Sequence, residues 1–84
     1  MPTAYILLNN KPDSEIEIIQ KIKEIIKDSQ SVKCEIQVVY GVYDIIVKVE
    51  CENMGDIRNT LGKIRRVNKI ISTITMLVNE ERQF

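Results

Sequence analysis

Residues 34–51, CEIQVVYGVYDIIVKVEC, fall into two segments whose hydrophobic patterns match each other. Folded back on each other at Gly41-Val42, they pair Tyr40 with Tyr43, Val38 with Ile45, Ile36 with Val47 and Cys34 with Val49. Side chains alternate along a strand, so these apolar partners share one face. The other face pairs Glu35 with Lys48, Gln37 with Ile46 and Val39 with Asp44. One face is wholly apolar, and the other is mostly polar with opposite charges in register. A slip of one residue would exchange the faces, so the pattern predicts a β-hairpin in this register.

The remaining segments have equally plain periods. Residues 3–10, TAYILLNN, alternate Ala4, Ile6 and Leu8 against Tyr5 and Leu7. Both rows are apolar, which suits a central strand covered on two sides. Lys11-Pro12 ends it. A helix then opens at Asp13 or Ser14 and runs to about Asp28, with Ser14 and Glu17 at capping-box spacing. Its apolar stripe is Ile16, Ile19, Ile22 and Ile26, widened by Ile18 and Ile25. Glu15 and Glu17 near its start and Lys23 and Lys27 near its end suit the helix dipole. Ser29-Gln30-Ser31 leads into the hairpin. Beyond it, Asn53 is placed to cap a second helix, with Asp56 at the third position. The stripe here is Met54, Ile57, Leu61 and Ile64. Gly62 is read as a point of close packing on the sheet. Residues 70–78, IISTITMLV, form the last strand. Ile70, Ser72, Ile74, Met76 and Val78 form one row, and Ile71, Thr73, Thr75 and Leu77 the other.

The order β-α-β-β-α-β predicts an α+β, ferredoxin-like fold: a four-stranded antiparallel sheet with two helices on one face. The expected domain is 1–78, with a polar tail at 79–84. The uncovered sheet face should carry Val39, Ile46, one row of the first strand, Ile71 and Leu77. So much exposed apolar surface predicts association with a second copy, most simply as a two-fold dimer.

Composition narrows the function. The chain has 84 residues, enough for one domain with a marginal core. Lysine plus arginine total 12 and aspartate plus glutamate 12, which argues against direct nucleic-acid binding. Arg58, Lys63, Arg65, Arg66 and Lys69 cluster around the second helix. No aromatic platform accompanies them, so a solvated face is expected. There is no histidine and there are two cysteines, with no metal-site spacing, so neither a metal nor another cofactor is expected. Cys34 and Cys51 would be diagonal neighbours at about the far limit for a disulfide. Free thiols in a reducing cytoplasm are the simpler reading. No run reaches the roughly 20 apolar residues of a membrane span. MPTAYILLNN lacks signal-peptide features, so a cytoplasmic location is expected.

The opening AYILLN, the VVYGVYDIIVKVE hairpin and the closing STITMLV together resemble the Lrp/AsnC regulators, in their C-terminal effector-binding or RAM domain. The resemblance spans nearly the whole chain. Its most specific part is the step from Gly41 to Asp44 within the string YGVYDIIVKV. Thr73 and Thr75 in the last strand are a weaker match. Full-length members of that family also carry an N-terminal helix-turn-helix. The first strand here begins at residue 3, so the chain looks like a stand-alone effector domain. What the family implies about DNA binding does not carry over.

The resemblance implies dimers through the sheet faces and a ring of dimers, often an octamer. It also implies amino acids or related small effectors bound between dimers, and partnership with full-length relatives. Tyr40, Gly41, Val42, Tyr43 and Asp44 would line the pocket, with Thr73 and Thr75 contributed by a neighbour.

The residues suit that chemistry, since a carboxylate holds an ammonium through charge-assisted hydrogen bonds. Backbone N–H groups at a glycine turn hold a carboxylate, and threonine hydroxyls add neutral bonds. Each residue also has a plain structural reading. Gly41 is simple turn chemistry, Asp44 a solvated strand start, and Thr73 and Thr75 strand formers. Tyr40 and Tyr43 form a core or interface pair. The other classes left open are a small ferredoxin-like dimeric enzyme, of monooxygenase or isomerase type, and a ligand-free assembly module. The acids are scattered, and no serine or cysteine has an adjacent base, so no catalytic residue is expected.

Overall fold

The computed structural model describes residues 2–29 and 32–78. Its elements are β1 (Thr3–Asn10), α1 (Glu15–Lys27), β2 (Lys33–Val38), β3 (Ile45–Glu50), α2 (Met54–Arg65) and β4 (Ile70–Leu77). The four strands form one sheet in the order β2-β3-β1-β4, with every neighbouring pair antiparallel. This is the ferredoxin-like α+β arrangement. Among the described residues no helix is long and apolar enough to cross a membrane. Residues 30, 31 and 79–84, the middle of the polar linker and the expected tail, lie outside the described residues.

The hairpin register is the one its pattern dictates. Cys34 faces Val49, Glu35 faces Lys48, Ile36 faces Val47, Gln37 faces Ile46 and Val38 faces Ile45. The inner row of β3 is fully buried with that of β1: Ile45, Val47 and Val49 beside Ala4, Ile6 and Leu8. From the helices, Ile18, Ile22, Ile57, Leu61 and Ile64 close this core. Lys48, opposite Glu35 as the pattern requires, makes its close ion pair with a different acid. Lys48 Nζ lies 3.2 Å from Glu50 Oε1, two residues along its own strand and on the same face. That bond, with the nearby Tyr5 and Glu50, raises the lysine's pKa.

Both helix stripes are shorter than their sequences suggest. Ile16 is 75% exposed and Met54 is 40% exposed, although each lies in the first turn of its helix beside a buried isoleucine, Ile18 or Ile57. Thr60, which the stripe omitted, is buried. A side chain at Gly62 would meet nothing within 4 Å, so this glycine does not mark a close approach.

The two helix starts behave differently. Asn53 caps α2 as expected, its Oδ1 accepting the Asp56 N–H at 2.9 Å. Asn53→Ala should therefore lower stability by about 1 kcal/mol, read from urea unfolding. The capping box at α1 does not form. Ser14 occupies the N-cap position, but its hydroxyl donates to the Lys11 carbonyl and caps no helix N–H. Glu17 pairs with Lys69, its Oε2 2.6 Å from Nζ.

The uncovered sheet face differs from expectation at β4. Tyr5 lies opposite Met76, and Leu7 opposite Ile74, so these share the open face with Ile46. Leu77 lies opposite Ala4 and so belongs to the helix side. The register steps from Asn9–Ser72 to Asn10–Ile70, leaving Ile71 as the extra residue of a bulge. The bulge also turns Ile70 toward the core. Both rows of this strand are rich in β-branched residues, so alternation could not fix which row faced the helices.

Candidate ligand site

Asp44 stands where the hairpin loop meets the sheet. Its main chain is held on two sides: its N–H donates to the Leu8 carbonyl at 3.0 Å, and its carbonyl accepts the Val39 N–H at 2.8 Å. Its side chain reaches the end of β1, where Oδ2 accepts the Asn10 N–H at 2.9 Å. The other carboxylate oxygen has no hydrogen-bond partner among the described residues. Half-buried and fixed from behind, Asp44 is more than a solvated strand start.

The loop before it is open. Pairing of the two strands ends at Val38 and Ile45, apart from the single Val39–Asp44 backbone bond. Tyr40 is fully exposed and Val42 is 82% exposed, while Tyr43 is half-buried. Tyr40 is therefore no core residue, and the ladder stops short of a Tyr40–Tyr43 pair, because the chain leaves the strand path before Tyr40. Gly41 has φ +139°, a conformation that side-chain-bearing residues rarely adopt. Its role as the residue that permits this turn is borne out.

Thr73 lies opposite Leu8 on β4, while Asp44 bonds the same Leu8 carbonyl from the β3 side. Both therefore sit at one end of the sheet, with β1 between them. Thr75 lies opposite Ile6, farther from that end, and its hydroxyl is already engaged. Arg65 Nη2 donates to Thr75 Oγ1 at 2.9 Å. The structure thus groups Asp44 with the hairpin loop, while Thr73, across β1 at the same end of the sheet, lies in the helix-side row opposite Leu8. Thr75 is separated from them by its bond to α2.

No family model and no curated protein matches the chain. Solved structures do. The chain is similar to FFRP-DM1 at 38% identity and a TM-score of 0.75, over 93% of this chain and 99% of that one. PHS023 from Pyrococcus horikoshii gives 38% identity and a TM-score of 0.76, over 96% and 93%. AsnC from E. coli shares the fold at 21% identity and a TM-score of 0.74, with 99% of this chain covering 54% of AsnC. The chain belongs to the Lrp/AsnC family, as its RAM domain.

Two residues of this RAM domain that matter to the site escaped the sequence reading. Asn10 is only 6% exposed, and its Nδ2 donates to the Lys11 carbonyl at 2.7 Å, to Ser14 Oγ at 3.3 Å and to Glu15 Oε1 at 3.2 Å. Through its own N–H it also holds Asp44, so one residue joins the sheet end, the first turn of α1 and the candidate anchor. A polar residue closing an apolar strand before Lys-Pro was the available signal. Arg65 is the second. By sequence it is one member of a solvated basic face, and its contact with Thr75 depends on how α2 lies over β4.

The cysteines of the RAM domain are free thiols. Burial, with Glu35 adding to it, pushes the Cys34 thiol up to about 11. Burial also raises Cys51, opposed by a hydrogen bond with Thr60. Neither is an activated nucleophile.

Proposed function

We propose that this RAM domain binds an amino acid or related small effector at the hairpin end of the sheet and self-associates through its open face. The Asp44 carboxylate carries the reading. One oxygen is tied to β1 and the other is left to accept from a ligand ammonium, beside a glycine turn whose backbone can meet the ligand carboxylate. Tyr40 and Val42 project from the loop as apolar surface that a neighbouring subunit would cover. This arrangement suits a pocket completed between dimers, to which Thr73 or the Thr75–Arg65 pair of a neighbour would contribute. Tyr5, Leu7, Ile46, Ile74 and Met76 supply the face for the dimer itself. In this reading the domain is not an enzyme. It acts on transcription through full-length regulators with which it co-assembles, and a ring of dimers is the expected assembly.

A thermal-shift screen against the twenty amino acids tests the site. A ligand at a hundredfold excess over its Kd adds about 2.7 kcal/mol to the folded state. For a domain of this size that is a Tm rise of about 10–20 °C. One or a few amino acids should give this shift, and Asp44→Ala should abolish it, read against the variant's own unliganded Tm, which falls because the Asn10 N–H loses its carboxylate partner. Silence from all twenty would remove the effector reading and leave an assembly module.

A further inference from the structure

A cavity of about 320 Å³ opens between α1 and the edge strand β2, at the end of β2 remote from the hairpin loop. Lys23, Ile26 and Lys27 line it from the helix, and Cys34 and Ile36 from the strand. Three- and four-residue spacing puts the helical residues on one face. Alternation puts the strand residues in the inner row of β2. Among the described residues no further strand lies outside β2, so the flank of α1 and this row meet as an open trough. Its apolar wall is half-buried and continuous with the core through Ile26, Cys34 and Ile36.

Both charged residues that line it are lysines. Among the described residues the ion pairs are Lys21 with Glu24, Lys48 with Glu50 and Lys69 with Glu17, and neither Lys23 nor Lys27 takes part in one. Glu35, the acid nearest along β2, lies opposite Lys48 on the other face of the sheet.

We infer that this trough binds an aliphatic monocarboxylate. The chain would lie along Ile26, Cys34 and Ile36, and the carboxylate between the ammonium groups of Lys23 and Lys27. Two cations above an apolar floor fit an anionic head on a hydrocarbon tail. They also exclude a zwitterionic amino acid, whose ammonium would be brought against them. The volume is at the small end of ligand sites, which span roughly 300–1,000 Å³, and suits a chain of medium length. In polarity the trough is the reverse of the Asp44 site, and its ligand does not depend on that reading.

Titration of the ¹⁵N-labelled domain with octanoate, followed by amide chemical shifts, tests the inference, with octylamine as the cationic control. Saturable shifts should centre on residues 23–27 and 34–36. In the exposed double variant Lys23→Gln/Lys27→Gln, affinity should fall about tenfold, as two exposed ion contacts allow. Octylamine should not saturate the same amides. Three outcomes overturn the inference: no saturable shift, equal binding of octylamine, or shifts confined to the open sheet face around Leu7 and Ile74.

Discussion

Asn10→Asp destabilises the domain by about 3 kcal/mol or more at neutral pH, and most of that loss disappears in acid. The native amide gives its Nδ2 protons to the Lys11 carbonyl, Ser14 Oγ and Glu15 Oε1 at a site only 6% exposed. A carboxylate there sets acceptor against acceptor at the Lys11 carbonyl and at Glu15 Oε1. It also places a charge against Glu15, with the Asp44 carboxylate held on the neighbouring N–H. Desolvation and both carboxylates raise the pKa of the new acid in the folded state above its unfolded value of about 3.9. The folded state then binds the proton more tightly than the unfolded state. Below the unfolded pKa both states are protonated and the charge penalty is absent. The penalty grows as pH rises above about 4 and levels off above the folded pKa.

Asn10→Ala separates the two contributions. It removes the same donors without adding a charge, and it also removes Asn10 Oδ1, a buried acceptor with no partner. Its loss should be smaller and flat with pH. Urea unfolding of both variants between about pH 4 and pH 7 checks this. Equal, pH-independent losses would mean that the Asn10 pocket opens to water and is not the fixed joint described here.

Leu8→Ala should cost about 2–5 kcal/mol, the usual range for emptying a closed aliphatic site. Leu8 is fully buried in the central strand, with Ile45 beside it on β3 and Thr73 on β4. Strands on both sides and helices above leave little room for collapse into the cavity. Small domains hold only about 5–15 kcal/mol in total, so much of the folded population is at stake. Ile16→Ala is the informative contrast, since Ile16 belongs to the apolar stripe of α1 by spacing but is 75% exposed. It should change stability by no more than about 0.5 kcal/mol. Midpoints in urea for the two variants, at equal slope, decide between the stripe and the packing as the guide to the core.

The same contrast runs through the rest of the chain. Alternation in residues 34–51 set every pairing from Cys34–Val49 to Val38–Ile45, because one face is apolar and the other polar. In β4 both rows are mostly apolar or β-branched, and the bulge at Ile71 shifts the parity partway along. The open face therefore could not be assigned from pattern alone. Asn53 was legible as a cap because its partner lies three residues away in the same turn. Ser14 looked the same in sequence. Its surroundings are instead set by Asn10 and Lys11, which the end of β1 brings to it.

The candidate site divides in the same way. Gly41 could be named from the sequence because the turn needs a glycine, and Asp44 because it ends the Gly41-to-Asp44 step that resembles the family. The links from Asp44 to Asn10 and from Thr75 to Arg65 span 34 and 10 residues respectively, and exist only once β1, β3, α2 and β4 are assembled. Periodicity and local caps act within a few residues, so the sequence alone determined the elements, their order and the hairpin register. Which polar groups meet, which β4 row faces solvent and where a trough stays open depend on contacts between distant segments. Those the tertiary structure alone decided.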